Sequence, residues 1–594
     1  MWDELSLPTT GYAGVPASHF GLTTHPQRAN IIKEVSDKLS SGIKVIEITA
    51  ISPQVLEAIP EQHLEEVRRL KELTGAELTF HGPIIEATGF DVENRRWDPL
   101  AQKRAERQMW SAVERSQKLN PDGNTVVTFH STAALPEMQT TVKGEEGVKQ
   151  LLAYDEFGER IASVPVKPNY LEKDEKPNPQ RLLKEVNENA WEESLSDASY
   201  HANRGKVQFE NVRTHLQQAQ KALGKELKPE TILEIYKDAG TPEGQKRLEA
   251  IKDPAVRGNA ELILNELNHG DLSVRRAYHQ LQELFNRAWV TVKNEEDRKR
   301  LEEYREHFAP QVKENNLKNP ENVIKFADEV SHGLQLLSTL KEKPALFSPL
   351  QDVAIKKASE TFSNVALKAF KEFGEHAPII SIENPPAGGG LSRGGDIREL
   401  VEKTRERFVE QAVKELHLSE SEAKQQAEKL IGVTWDVGHI NMLRQFGYGT
   451  EDIIKETEKV APLVKHVHLS DNFGIQHTEL PMGMGNVPTK EQLELIEKYN
   501  KQAKKIIETG DWWNQFQRNP LPDTLQAFGS PIYAMKMAPY WNQARGVSGG
   551  YFSGLGLNPD IHNQVYGSGF SMLPVELGGQ MTGRNRLSGA PMDG

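Results

Sequence analysis

Histidines and carboxylates recur along this chain at the ends of short apolar runs. His81 closes ELTFH, His130 closes TVVTFH, Glu383 closes PIISIE, and Asp436 closes IGVTWD with His439 three residues on. His468 lies near the end of VKHVHL, Glu508 ends KKIIE, and His477 follows on the loop after His468. Imidazole and carboxylate together are the donors that hold Zn²⁺ or Mn²⁺, whereas Mg²⁺ alone rarely recruits so many imidazoles. A lone histidine at a strand end is usually a hydrogen-bonded cap, but repetition over six successive runs points to a metal site. With no cysteine in the chain, any metal must sit on His, Asp and Glu. These residues outnumber the ligands of one ion, so a multinuclear site is expected.

What must position them is a set of buried parallel strands. HFGLTT, KVIEITA, ELTFHGP, TVVTFHST, PIISIEN, IGVTWDVGH, VKHVHLSD and KKIIET are short and apolar and end in turn residues, as strands covered on both faces do. Amphipathic stretches separate several of them. PQRANIIKEVSDKLSSG and EQHLEEVRRLKELTG read as helices, with Gly42 and Gly75 as their stops. Eight strands of this kind predict a (β/α)₈ barrel, in which side chains at the carboxyl ends of the strands converge on one face.

The spacing breaks between the fourth strand and the fifth, where about 245 residues intervene, far beyond an ordinary βα connection. Most of them read as helices, as in LSVRRAYHQLQELFNRAWVTV, where Val274, Tyr278, Leu281, Phe285 and Ala288 form an apolar stripe. The expected organisation is therefore barrel over 1–139, an inserted helical domain over 140–345, barrel again over 346–514, and a Gly/Met/Pro-rich extension over 515–594. The insertion leaves on the face where barrel active sites lie, as a lid or a recruiting surface. LQDVAIKKASETFSNVALKAFKEFG is the helix that brings the chain back. Aromatic residues in the extension favour packing over a solvated tail.

Of the remaining candidates, His466 alternates with His468 and is expected one layer deeper. Glu47 reads as an outer acid, and His279 and His307 as helix surface. GGGLSRGGD lacks the Lys and spacing of a P-loop, so it is expected to be a flexible loop with Arg393 as an anion contact. The formal charge of −13 gives no electrostatic reason for tight non-specific nucleic-acid binding. Neither a leader nor an apolar membrane span is apparent, which predicts a cytoplasmic protein without a membrane partner.

In their order, HGP at His81, FHST at His130, IENPPAGGG from Ile382, WDVGH from Trp435, HLSD at His468, HTELPMGMGN from His477 and IIET ending at Thr509 resemble a known family. It is the xylose isomerase-like barrels, which include endonuclease IV and the sugar phosphate isomerases/epimerases (AP endonuclease family 2). The resemblance spans residues 20–135 and 350–515. Resemblance to endonuclease IV implies one zinc on His81, His130 and Glu383, and a second on Glu383, Asp436, His468 and Glu508. A third would use His439, His477 and an aspartate two residues before His477, where this chain has Ile475. Two zincs, or three if Glu479, substrate phosphate or water completes the last, follow from that branch.

The isomerase/epimerase branch instead implies one Mn²⁺-type site on Glu383, Asp436, His468 and Glu508. Glu383 and Glu508 would then be the catalytic acid/base pair, with His439 binding a substrate hydroxyl. The leading expectation is metal-assisted phosphodiester hydrolysis at abasic or damaged DNA, because His81 and His130 have a direct task there. The alternative is isomerisation or epimerisation of a sugar or sugar phosphate. A third reading is a non-catalytic scaffold whose insertion and extension mediate self-association or bind a protein partner.

Overall fold

The protein is described here by a computed structural model covering residues 20–528, apart from 42, 92, 95, 142–147, 156–159, 166–178, 223–228, 239–240, 315–319, 511, 513–515 and 517–518. All eight expected runs form strands: β1 (Phe20–Thr23), β2 (Val45–Thr49), β3 (Glu77–His81), β4 (Val126–His130), β5 (Ile379–Glu383), β6 (Ile431–Asp436), β7 (Val464–Leu469) and β8 (Lys504–Ile507). They pair in sequence order, all parallel, and β1 closes the circle by pairing with both β2 and β8. The result is the (β/α)₈ barrel that the strand spacing predicts.

Strand alternation sorts the side chains. In β5, Ile380 and Ile382 are fully buried, while Ser381 and Glu383 occupy the other face. In β6, Trp435 donates from Nε1 to Thr457 and Gln492, at 3.1 Å each, and Thr434 and Asp436 take the opposite side. The helices behind the strands follow the apolar periodicity. Ile31–Ser40 starts at Asn30, whose side chain accepts from the Lys33 amide, and Glu61–Thr74 ends at Gly75 in the left-handed region, φ 66°. The first of these helices is capped by Ser41, and Gly42 lies outside the described residues.

Residues 147–350 form a compact unit of their own. Two long helices, Pro179–Ala222 and Pro254–Thr291, pack along each other and against Pro320–Ser338, burying Trp191, Phe209, Leu281 and Phe326 between them. The unit is not wholly helical. Val148–Asp155 pairs antiparallel with Arg160–Pro165 and with Ser348–Pro349. Buried Leu151 and Ala153 explain the strand, because period-two burial overrides the helical composition around it. In the extension, a short helix covers Leu521–Ala527, and residues 529–594 lie outside the described residues. No helix among the described residues is long and apolar enough to cross a membrane.

The glycine-rich segment after β5 is not the flexible loop expected. Leu391 and Ser392 are buried, the Gly390 amide donates to the Leu135 carbonyl at 2.7 Å, and the helix Gly394–Leu416 begins at Arg393. In that helix's first turn, burial pushes the Asp396 carboxyl up to about 6, against Arg393, which lowers it. A carboxyl whose pKa is higher folded than unfolded favours the native state while protonated. Stability should therefore fall by about 1–3 kcal/mol as pH rises from about 4 to about 7, and Asp396→Asn should flatten that slope in denaturant titrations. At the barrel wall, a β-carbon on Gly21 would meet Ile506 Cδ1 at 2.6 Å and the Val45 carbonyl at 2.7 Å. Gly21→Ala should therefore lower stability by roughly 1–3 kcal/mol in thermal melts.

Candidate metal centre

Six strands bring candidate ligand side chains to one buried point. Glu383, at the end of β5, lies with Oε2 3.1 Å from His81 Nε2 and 3.2 Å from His130 Nε2, and with Oε1 2.8 Å from His468 Nδ1. Glu508, just beyond β8, reaches the same His468 nitrogen at 3.0 Å. Its amide donates to the Leu469 carbonyl at 2.9 Å, which carries the β7–β8 pairing one residue further and aims the side chain inward. Register explains the rest: Glu383 is level with His130, and Asp436 with His468.

Asp436 caps the short helix Val437–Asn441, its Oδ1 accepting from the Gly438 and His439 amides at 2.7 Å each. That leaves Oδ2 buried with no hydrogen-bond partner, and Glu508 Oε2 is in the same condition. Gly438 is required in WDVGH because a β-carbon there would stand 2.1 Å from Ser470 Oγ. Donor atoms of Glu383, Asp436, His468 and Glu508 all lie within 4.8 Å of one another, as do those of His81, His130 and Glu383. Buried carboxylate oxygens without donors, beside imidazole nitrogens, fit a divalent cation. When bound, it would supply Lewis-acid polarisation of substrate oxygens.

Backbone groups prepare two of the imidazoles. His81 Nδ1 donates to the Gly82 carbonyl and His439 Nδ1 to the Asn384 carbonyl, each at 2.7 Å. Because a carbonyl only accepts, Nδ1 of each ring carries a proton, and Nε2 is turned toward the cluster. His439 Nε2 faces His477 Nε2 at 2.8 Å. Glu479 Oε1 is 3.7 Å from His477 Nε2, whereas Ile475 is 60% exposed and cannot donate.

Electrostatically the cluster is crowded with negative charge. Burial would raise Glu383, but the charges of His468 and His130 and hydrogen bonds from His468 and His81 hold it well below the carboxylate range. Burial together with the neighbouring Glu508 and Glu383 lifts Asp436 to about 6, and burial with Glu508 lifts Glu479 to about 8. Burial would lower His81, but its hydrogen bond to Glu383 and the charges of Glu383, Glu47 and Glu508 together raise it to about 9. Burial, reinforced by neighbouring imidazoles, takes His130 and His477 down to about 4.

All eight sequence-predicted ligands thus meet at one end of the barrel, though His439 and His477 form a pair beside the four-residue cluster. Arg393 is engaged elsewhere: its Nε and Nη2 both donate to Glu137, at 3.0 and 2.6 Å, and it lies over the Tyr448 ring. Sequence reasoning missed a polar layer below the ligands, where Thr434 Oγ1 donates to Ser381 at 2.7 Å and meets Thr128 at 2.9 Å. Its signal was available, since a Thr, Ser or His stands two residues before His81, His130, Glu383, Asp436 and His468.

No family model matches the chain, and no curated protein does. Solved structures similar to it include a D-tagatose 3-epimerase-like protein, with 12% identity and TM-score 0.34, covering 87% of this chain and 99% of that one. The 3-keto-D-glucoside 4-epimerase YcjR from E. coli gives 10% and 0.33, covering 83% and 91%. D-psicose 3-epimerase from Clostridium cellulolyticum H10, solved with D-tagatose, gives 9% and 0.31, covering 82% and 84%. With values this low, the fold rests on the strand pairing above and the site on its own atoms.

If the four-residue cluster holds the cation, Asp436→Asn should weaken Mn²⁺ binding by more than the roughly 10–100-fold typical of losing an outer partner. Calorimetric titration of chelator-treated protein reads this directly, and unchanged affinity would remove Asp436 from the site.

Proposed function

We propose that this protein is a divalent-metal-dependent isomerase or epimerase of a sugar or sugar phosphate. The carrying observation is that two carboxylates from β5 and β8, Glu383 and Glu508, flank one imidazole nitrogen at 2.8 and 3.0 Å. Both are held below the ordinary carboxylate range against the effect of burial, Glu383 by His468, His130 and His81 and Glu508 chiefly by His468. Exchange of a carbon-bound proton next to a carbonyl needs a base to remove it and an acid to return it. Two carboxylates on separate strands can serve opposite faces of one carbon. In an epimerisation, one takes the proton as the C–H pair becomes the enediolate π bond, and the other, after taking up a proton from solvent, delivers it to the opposite face. His439 would bind a substrate hydroxyl through Nε2, which lies 2.8 Å from His477 Nε2, its Nδ1 being engaged by the Asn384 carbonyl.

One observation favours a second reading. His81, His130 and Glu383 form a further ligand group that shares Glu383 with the first, an arrangement suited to paired cations and phosphodiester hydrolysis. The third cation of that reading loses its aspartate at exposed Ile475, and the net charge of −13 opposes a DNA substrate.

With Mn²⁺ added, the protein should exchange solvent deuterium into one carbon of a ketose or ketose phosphate, seen by NMR over a panel of both. Glu508→Gln should reduce that exchange by about 10²–10⁴-fold. Incision of an abasic-site duplex with no exchange on any sugar would sink the proposal in favour of the second reading.

A further inference from the structure

Glu47 lies on β2, one level below the ligand cluster, and neither reading of the reaction uses it. It is fully buried, as are His466 and His468. Its two oxygens have different partners. Oε2 accepts from Thr79 Oγ1 at 3.1 Å and from His466 Nε2 at 2.9 Å. Oε1 has no regular hydrogen bond, and the same is true of His468 Nε2, yet the two atoms are 3.0 Å apart. The contact is close without being collinear, so its attraction is that of an ion pair before that of a hydrogen bond.

From this geometry we infer that Glu47 is a positioning residue for the metal ligand His468. The inference rests on the proposed metal site. In this structure Nδ1 of His468 donates to Glu383 at 2.8 Å. A cation held by Glu383 and Glu508 would take the place of that proton, and Glu47, whose carboxylate can only accept, would keep the remaining ring proton at Nε2. Gly82 and Asn384 perform the same task for His81 and His439 through backbone carbonyls, from the other ring nitrogen. At His468 no carbonyl accepts from Nε2, and Glu47 takes that place with a full charge. Outer partners of this kind fix ring orientation and raise ligand basicity, and losing one typically lowers metal affinity about 10–100-fold. Thr79 and His466 hold the Glu47 side chain in place, which explains a buried His466 that ligates nothing in the four-residue cluster.

Three measurements on the full chain test this. First, Mn²⁺ is titrated calorimetrically into chelator-treated wild type and Glu47→Gln. The variant should bind the same number of ions with about 10–100-fold weaker affinity. Equal affinities would overturn the role of Glu47 while leaving the metal site intact. Loss of a whole equivalent with the remainder unchanged would also overturn it, because Glu47 would then be a ligand. A wild type that binds no ion overturns both this inference and the reading beneath it. Second, thermal melts of the metal-free proteins show whether the variant folds. Third, should it not fold, ¹⁵N NMR of the wild type with Zn²⁺ bound reads the ring of His468 directly: a proton on Nε2 is expected, and a proton on Nδ1 would refute the inference.

Discussion

Glu383 holds a negative charge at full burial, and the architecture around it follows from making that tolerable. Removing an ion from water costs several kcal/mol unless partners restore what hydration supplied. Here the partners are three imidazoles at 2.8 to 3.2 Å, arriving from β3, β4 and β7. None is near Glu383 in sequence. Only a closed barrel brings these strand ends around a common axis, so the stability of the charge and the closure of the sheet are one requirement.

The imidazoles do not finish the task. Glu47, Asp436, Glu479 and Glu508 add carboxylates to the same region, and two of these, Asp436 and Glu479, are driven toward their neutral forms by burial and by the charges of Glu508 and Glu383. Two histidines are driven toward neutrality as well. Neutral imidazoles and partnerless carboxylate oxygens are what a divalent cation coordinates. A cation would relieve the repulsion among the acids and the desolvation of Asp436 Oδ2 and Glu508 Oε2 together. The same arrangement leaves Glu383 and Glu508 ionised, the state in which a carboxylate can act as a base.

Below the ligands the interior stays polar instead of filling with branched apolar side chains as barrel layers usually do. Thr128, Ser381 and Thr434 form one hydrogen-bonded group, and Glu47, Thr79 and His466 another. Strand alternation makes this layer unavoidable in position, since the side chain two residues before each ligand points to the same interior. Its polarity is a choice of sequence. Networks of this kind hold ligands rigidly when fully satisfied, and the apolar outward face, with Ile380, Ile382, Trp435 and Val467 all buried, supplies the packing that the interior does not.

Much of this was legible in the residues alone. The eight strands, the helices between them and the His, Asp and Glu side chains gathered at their ends could be read because parallel strands and amphipathic helices leave periodic signals. His466 was separable from His468 by alternation. What could not be read depends on contacts between distant segments. The GGGLSRGGD segment looks mobile by composition, yet is pinned because residues 135–136 pack on it. Arg393 looks available to an anion, yet Glu137 engages it from the other side of the insertion. Sequence by itself determined which residues offer imidazole and carboxylate donors and which face of each strand they occupy, since periodicity is a local property of the chain. Only the tertiary structure decided which atoms of those residues meet and which Glu47 oxygen serves which histidine, because burial and partnership depend on strands that are neighbours in space and remote in sequence.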